Sequence, residues 1–437
     1  MLSKWALPIA VTISLMLGAG QAQANGRFPA ASQLVVFPRT PEKMVLRTTF
    51  GILFSHDRGA TWDWVCERAV GYGGVEDPAL GIVGEKTVLA GTFEGLSVTQ
   101  DLGCSWAFAG GGLKGQVVID VTSRSNQPAA ALALTSTYKR DDAGDGYTSH
   151  LYETTDQGIS WSRLGVGLPT YAIAETVDTA PSDGARIYAS AFRRKGEPIE
   201  GLFYASKDNG QTFSETLIEL TPNEGAPFIA AVDPVNAERV YVRTTTPGSG
   251  SRLLVTDDGG KTFRTVRTGA ALLGFALSGD GSKVWVGGAD GLFVASRDDL
   301  TFVKKSDTQI QCLTWFGGTL YACSTESSGF IVGASTNDGA NFAPLLHLAT
   351  VRGPLACGNG TPTANCLVEW PAIRDQLGIA YDAGASDGGG QPAASSDDGG
   401  CSVPSEKSGP VAFFSMCAVA IAAILARTVI VRRRRHR

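Results

Sequence analysis

One eight-residue pattern recurs down the chain with little change. It reads SHDRGATW from Ser55, TQDLGCSW from Thr99, TTDQGISW from Thr154, SKDNGQTF from Ser206 and TDDGGKTF from Thr256. Two weaker copies follow. SRDDLTF from Ser296 is one residue short and lacks the glycine, and STNDGANF from Ser335 has Asn337 in place of the acid. The copies lie about forty to fifty-five residues apart, a period at which each repeat is one supersecondary unit that must bury its face against its neighbours.

The residues around each copy agree with one another. A β-rich run precedes it (GILFSHD, GLSVTQD, HLYETTD, GLFYASKD, RLLVTDD), a second lies upstream (KMVLRTT, KTVLAGT, RIYASAF, RVYVRTT, KVWVGGA), and a third before that (QLVVFPR, VVIDVTS, FIAAVDP, LLGFALS). With the strand after the motif, each repeat holds four short strands separated by turn residues. The expected fold class is all-β: a seven-bladed β-propeller of four-stranded antiparallel blades over residues 28–350, closed so that little sheet edge is exposed. The 54 glycines and the 18% of charged residues fit many tight turns and little exposed helix.

Each motif is expected in the turn between the third and fourth strands of a blade. There Asp57, Asp101, Asp156, Asp208 and Asp258, with Asn337 in the seventh copy, can accept hydrogen bonds from N–H groups of their own turn. Gly59, Gly103, Gly158, Gly210, Gly260 and Gly339 supply a positive φ. Trp62, Trp106, Trp161, Phe213, Phe263 and Phe342 pack over neighbouring strands. The motif resembles the Asp-box (BNR-like) repeat of sialidases, sortilin-type receptors and photosystem-assembly propellers, over roughly residues 34–346. That resemblance implies a peripheral, structural role for these acids.

The ends of the chain carry a different signal. Lys4, an apolar run to Leu17 and Ala22-x-Ala24 read as a signal peptide over 1–24. A short extension, 351–381, follows the propeller, then a Gly/Ser/Asp-rich linker over 382–400. Beyond it come Cys401, a mostly apolar segment of about twenty residues at 411–431 suited to a transmembrane helix, and RRRRHR, which should stay cytoplasmic. Gly-Gly-Cys, an apolar helix and an arginine block resemble the C-terminal sorting tag of myxobacterial surface proteins, with one cysteine where the usual tag often carries two. The resemblance implies cleavage near Cys401 and attachment at the cell surface, the outer membrane, through lipid on that cysteine; a permanent single-span anchor is the alternative. Processing would remove more basic than acidic residues and leave a body more acidic than the full chain's −5. An acidic exported body argues against nucleic-acid binding.

An exported chain permits disulfides. Of the eight cysteines, Cys401 belongs to the tag and Cys417 to the apolar segment. A turn at Gly317-Gly318 sets Cys312 opposite Cys323 across a hairpin. Cys357 and Cys366 close a short loop, and elimination pairs Cys66 with Cys104. The four scattered histidines and the lack of any C-x-x-C pair argue against a zinc site, and no cofactor or metal is expected.

Partners are expected at the face built from the loops between second and third strands and between blades. The longest insertions there, Ser136–His150 and Phe192–Glu200, fall in blades three and four. They offer Lys139, Arg140, Tyr147, Arg193, Arg194 and Lys195 as binding candidates. The functional expectation is a non-enzymatic binding or scaffolding module for a surface protein or polysaccharide. The alternative is a sialidase-like glycoside hydrolase, with inner-strand carboxyls such as Asp120 and Glu175 as its acids; GRFP at Gly26–Pro29 only faintly matches the start of such enzymes, and no catalytic residue is assigned.

Overall fold

The structure is a computed structural model that describes residues 27–141, 144–195 and 199–380. The expected signal peptide, the linker, Cys401 and the 411–431 segment lie outside the described residues. Among the described residues no helix is long and apolar enough to cross a membrane.

Seven four-stranded antiparallel sheets follow one another, each made of four strands consecutive in sequence. The first strands of the blades are Ala31–Val36, Ala79–Val83, Val118–Ser123, Ile173–Ala180, Phe228–Val232, Gly274–Leu277 and Cys312–Phe316. Each packs against the first strand of the next blade, and the seventh packs against the first, so the ring closes. The second and third strands are buried on both faces because blades stack sheet on sheet: GILFS (Gly51–Ser55) and TVLAGT (Thr87–Thr92) are buried throughout. The outer strands turn polar, as in VKKS (Val303–Ser306), which has no fully buried residue.

Sheet packing alone would leave backbone groups of the inner strands unpaired at the channel, at a cost for each buried orphan. Side chains of the neighbouring blade supply partners. Gln33 of blade one brackets Leu80 of blade two, donating from Nε2 to its carbonyl and accepting from its N–H at Oε1, both at 2.9 Å. Ser123 of blade three donates to Ile82 O of blade two at 2.5 Å. Asp120 Oδ2 of blade three accepts from Val177 N of blade four at 2.9 Å, and Thr122 Oγ1 donates back to Asp178 Oδ1 at 3.1 Å. Thr176 Oγ1 accepts from Ile229 N of blade five at 3.0 Å. Thr314 Oγ1 of blade seven donates to Leu34 O of blade one at 2.7 Å, tying the last blade to the first.

The extension lays a strap over the outer edge of blades one and two. Trp64, in the outermost strand of blade one, donates to Gly353 O at 2.6 Å and accepts from Leu355 N at 2.8 Å, so Pro354 lies as a parallel bridge beside it. The helix Trp370–Leu377 follows, with the Trp370 ring 5.6 Å from that of Trp64. Two disulfides lock the strap, and both correct the expected pairing. Cys66 bonds Cys366, and Cys104 bonds Cys357, each with Cα atoms 5.4 Å apart. The expected bridges Cys66–Cys104 and Cys357–Cys366 do not form because the extension runs along blade one's edge and delivers one cysteine to each blade. Cys312 and Cys323 are bridged across their hairpin, directly opposite in register. Gln376 of the strap donates to Arg27 O at 3.1 Å, which puts the two ends of the described chain side by side.

Candidate functional site

The repeated corners close upon themselves. In blade one, Asp57 Oδ1 accepts from Ser55 Oγ at 2.9 Å and Thr61 N at 2.8 Å, and Oδ2 accepts from Thr61 Oγ1 at 2.5 Å. Ser55 Oγ accepts from Gly59 N at 2.8 Å, and Trp62 Nε1 donates to Gly59 O at 2.9 Å. The pattern recurs at Asp101, Asp156, Asp208 and Asp258. The Ser160 hydroxyl, then its N–H, holds the Asp156 carboxyl at about 2, and Thr212 does the same for Asp208. Asn337 keeps the accepting role through Oδ1, from Ser335 Oγ and Asn341 N, without the charge. In the short sixth corner Asp299, not Asp298, accepts from Thr301 N at 2.8 Å. The residue before the glycine is also left-handed (Arg58, Leu102, Gln157, Asn209, Gly259 and Asp338), which the motif did not reveal because side chains there vary freely.

These glycines do more than turn the chain. A Cβ on Gly103 would stand 2.9 Å from Phe54 of blade one, on Gly210 3.0 Å from Leu164 of blade three, and on Gly260 2.3 Å from Phe203 of blade four. Gly339 faces Leu292 of blade six, and Gly59 faces Leu345 of blade seven. Each corner is the spacer that sets its blade against the one before it. Each acid accepts hydrogen bonds from its own turn, and each turn belongs to a different sheet.

At the channel, burial pushes Asp120 up to about 7, with nearby Asp178 adding to it, and pushes Asp178 to about 6. Both carboxyls are spent on inter-blade and local N–H and O–H donors. Glu175 lines the same stretch of blade four, and burial alone raises it to about 7. The expected acid candidates Asp120 and Glu175 thus sit on adjacent inner strands, but Asp120 acts as a tie between blades. Among the described residues no group of three metal-ligating side chains could hold an ion.

The loop candidates of blades three and four separate into two groups. The strands Ala131–Asp141 and Gly144–Thr154 pair along their whole length, whereas the inner strand stops pairing at Thr135, so the hairpin stands out beyond the blade. Lys139 and Arg140 are exposed on it; Arg140 forms a two-pronged pair with Asp145 at 2.9 and 3.0 Å, and the Tyr138 and Tyr147 rings meet edge to face at 5.4 Å. In blade four, Arg193 pairs with Glu200 and sits 5.3 Å from the Tyr171 ring, while Arg194 lies 5.8 Å from the Phe192 ring. Lys195 is exposed.

Arg193 borders a cleft of about 550 Å³ that motif reasoning missed. Its walls come from the outer end of blade three, Val166–Pro169, and from Tyr171, Tyr204, Thr212, Phe213 and Glu215 of blade four and the connection into it. Tyr171 and Tyr204 both donate to Glu215 Oε2, at 2.8 and 2.6 Å, and the resulting carboxylate contact raises both phenols, in Tyr204 after burial. A faint sequence signal existed. Two residues past the corner aromatic stand Trp64, Phe108, Arg163 and Thr265 in other blades, and only blade four of this set has an acid there, opposite a tyrosine in register.

No protein-family model matches the sequence, and no curated protein is similar to it. Solved structures resemble it in architecture. A GH74 enzyme of Niastella koreensis is 16% identical with a TM-score of 0.46, over 73% of this chain and 53% of that one, so the chain spans about half its length. A GH74 xyloglucanase of Xanthomonas campestris is 15% identical with a TM-score of 0.35, over 71% and 63% of the two chains. Hydrazine synthase of Kuenenia stuttgartiensis is 13% identical with a TM-score of 0.49, over 72% and 99%.

Proposed function

We propose that the protein is an exported, surface-attached binding or scaffolding module whose Asp-box-type corners are structural and whose contact surface is the blade-three and blade-four side of the upper face, the face of the second-to-third-strand hairpins. The observation that carries this reading is the paired hairpin ending at Asp141 and Gly144. It projects exposed Tyr138, Lys139 and Arg140 from a scaffold whose blades are tied rigidly together. Further apolar side chains, Phe93 and Phe228, are exposed on the same face. Specificity concentrates in such loops because the scaffold holds them at little entropic cost on binding. The signal peptide and sorting tag of the sequence supply the address, and the partner is a surface protein or an envelope glycan.

A glycosidase of the same fold is the lesser reading. It needs two carboxyls free to face a sugar bond, and Asp120 has both oxygens engaged by N–H groups. The test is photo-crosslinking on intact envelopes, with a crosslinking residue at Tyr138 and, as the control, at Ile159 on the opposite face. Adducts from Tyr138 alone support the reading. Equal labelling from both positions, or none from Tyr138, would overturn it.

A further inference from the structure

We infer that the cleft between blades three and four is a subsite for a neutral saccharide, an inference that rests on the binding-module reading above and gives it a ligand class. Its volume, about 550 Å³, falls within the range of small-molecule sites, which are mostly apolar with a few converging polar groups. Three properties narrow the ligand.

The first is a stacking surface. Tyr171 is about half exposed at the cleft mouth, while its hydroxyl is fixed on Glu215 and Arg193 lies 5.3 Å from its ring. The ring is therefore held in one orientation before any ligand arrives, and Val166 and Phe213 extend the apolar lining beside it. A preorganised aromatic face favours the flat C–H side of a sugar ring without paying for ordering the phenol.

The second is an acceptor in reserve. Both phenols crowd onto Glu215 Oε2, whereas the nearest cation to Oε1 is Arg193 Nη1 at 4.0 Å, beyond hydrogen-bond reach. An ionised carboxylate oxygen forms stronger hydrogen bonds than a neutral acceptor. A hydrocarbon ligand would bury Oε1 unpaired, at the cost of its desolvation; a ligand hydroxyl would satisfy it.

The third is charge balance. Glu215 is the one charged residue among those lining the cleft, and Arg193, which pairs with Glu200, approaches it to 4.0 Å. With that acid and base side by side, a strongly cationic or anionic ligand gains little net attraction. Aromatic stacking, a hydroxyl acceptor and local neutrality together select an uncharged polyhydroxylated ring.

Saturation-transfer NMR on the folded body, with maltohexaose, cellohexaose and xylohexaose as neutral probes and sialyllactose and chitohexaose amine as charged ones, tests this. The expected result is transfer to at least one neutral probe, with affinity reduced about tenfold or more by Tyr171→Ala and by Glu215→Gln. Val166→Arg, at an exposed rim position whose side chain takes no part in a hydrogen bond, should block the cleft while leaving the melting temperature unchanged. No transfer to any neutral probe, preference for a charged one, or binding that survives both Tyr171→Ala and Val166→Arg would overturn the subsite. If Tyr138 still crosslinks a partner in that case, only the ligand class fails; if it does not, the binding-module reading fails with it.

Discussion

Gly260 of blade five and Phe203 of blade four are nearest neighbours across the blade boundary: a Cβ on the glycine would lie 2.3 Å from the Phe203 ring. The glycine also has φ +92°, a backbone state that side chains resist. Both constraints act at once on Gly260→Ala, through overpacking and backbone strain. Urea unfolding should show a loss of roughly 2–4 kcal/mol. Gly317→Ala, with positive φ but open space around it, should cost only about 1 kcal/mol. Equal losses would mean that the corners do not space the blades.

Asparagine at position 337 shows what a corner needs. Asp208→Asn should keep the acceptor for Thr212 N and lower the melting temperature less than Asp208→Ala, which removes every bond the carboxylate accepts. The loss caused by either substitution, relative to the native chain, should shrink in acid. Because the folded-state carboxyls of Asp156 and Asp208 sit at about 2, below their unfolded value near 4, the stability they add is present above pH 4 and disappears as pH falls toward 2. A melting-temperature series from pH 7 to pH 2 measures this.

The channel acids have the opposite sign. Asp120, Asp178 and Glu175 titrate at about 7, 6 and 7 in the fold, above their unfolded values. The native state then holds more protons between pH 4 and 7, so these groups favour folding below pH 4 and lose that contribution as pH rises through 7. Glu175→Gln removes a buried charge that no described residue pairs with. It should stabilise the protein by about 1–3 kcal/mol at pH 8 and do little at pH 4. Stabilisation that is independent of pH would point to packing instead.

Non-reducing peptide mapping should recover Cys66 linked to Cys366 and Cys104 linked to Cys357. Each bridge closes a loop of more than 250 residues, so Cys366→Ser should cost about 3–5 kcal/mol. It should also free the strap, read as faster amide exchange at Trp64 N–H, which bonds Gly353 O. Exchange unchanged in the variant would show that backbone pairing alone holds the strap.

The sequence by itself determined the blade count, the four-strand repeat and the place of each corner, because these depend on interactions within about ten residues: a hydroxyl, an acid and a glycine two positions apart suffice to close a turn. The hairpin bridge Cys312–Cys323 was legible for the same reason. Only the tertiary structure decided the features that join distant segments. It gave Cys66 to Cys366, converted Asp120 into a tie to Val177, set each corner glycine against the preceding blade, and brought Tyr171 to Tyr204 and Glu215. Those partners lie on different strands or different blades, and whether two such residues meet depends on how the ring closes, a geometry that no local run of residues encodes.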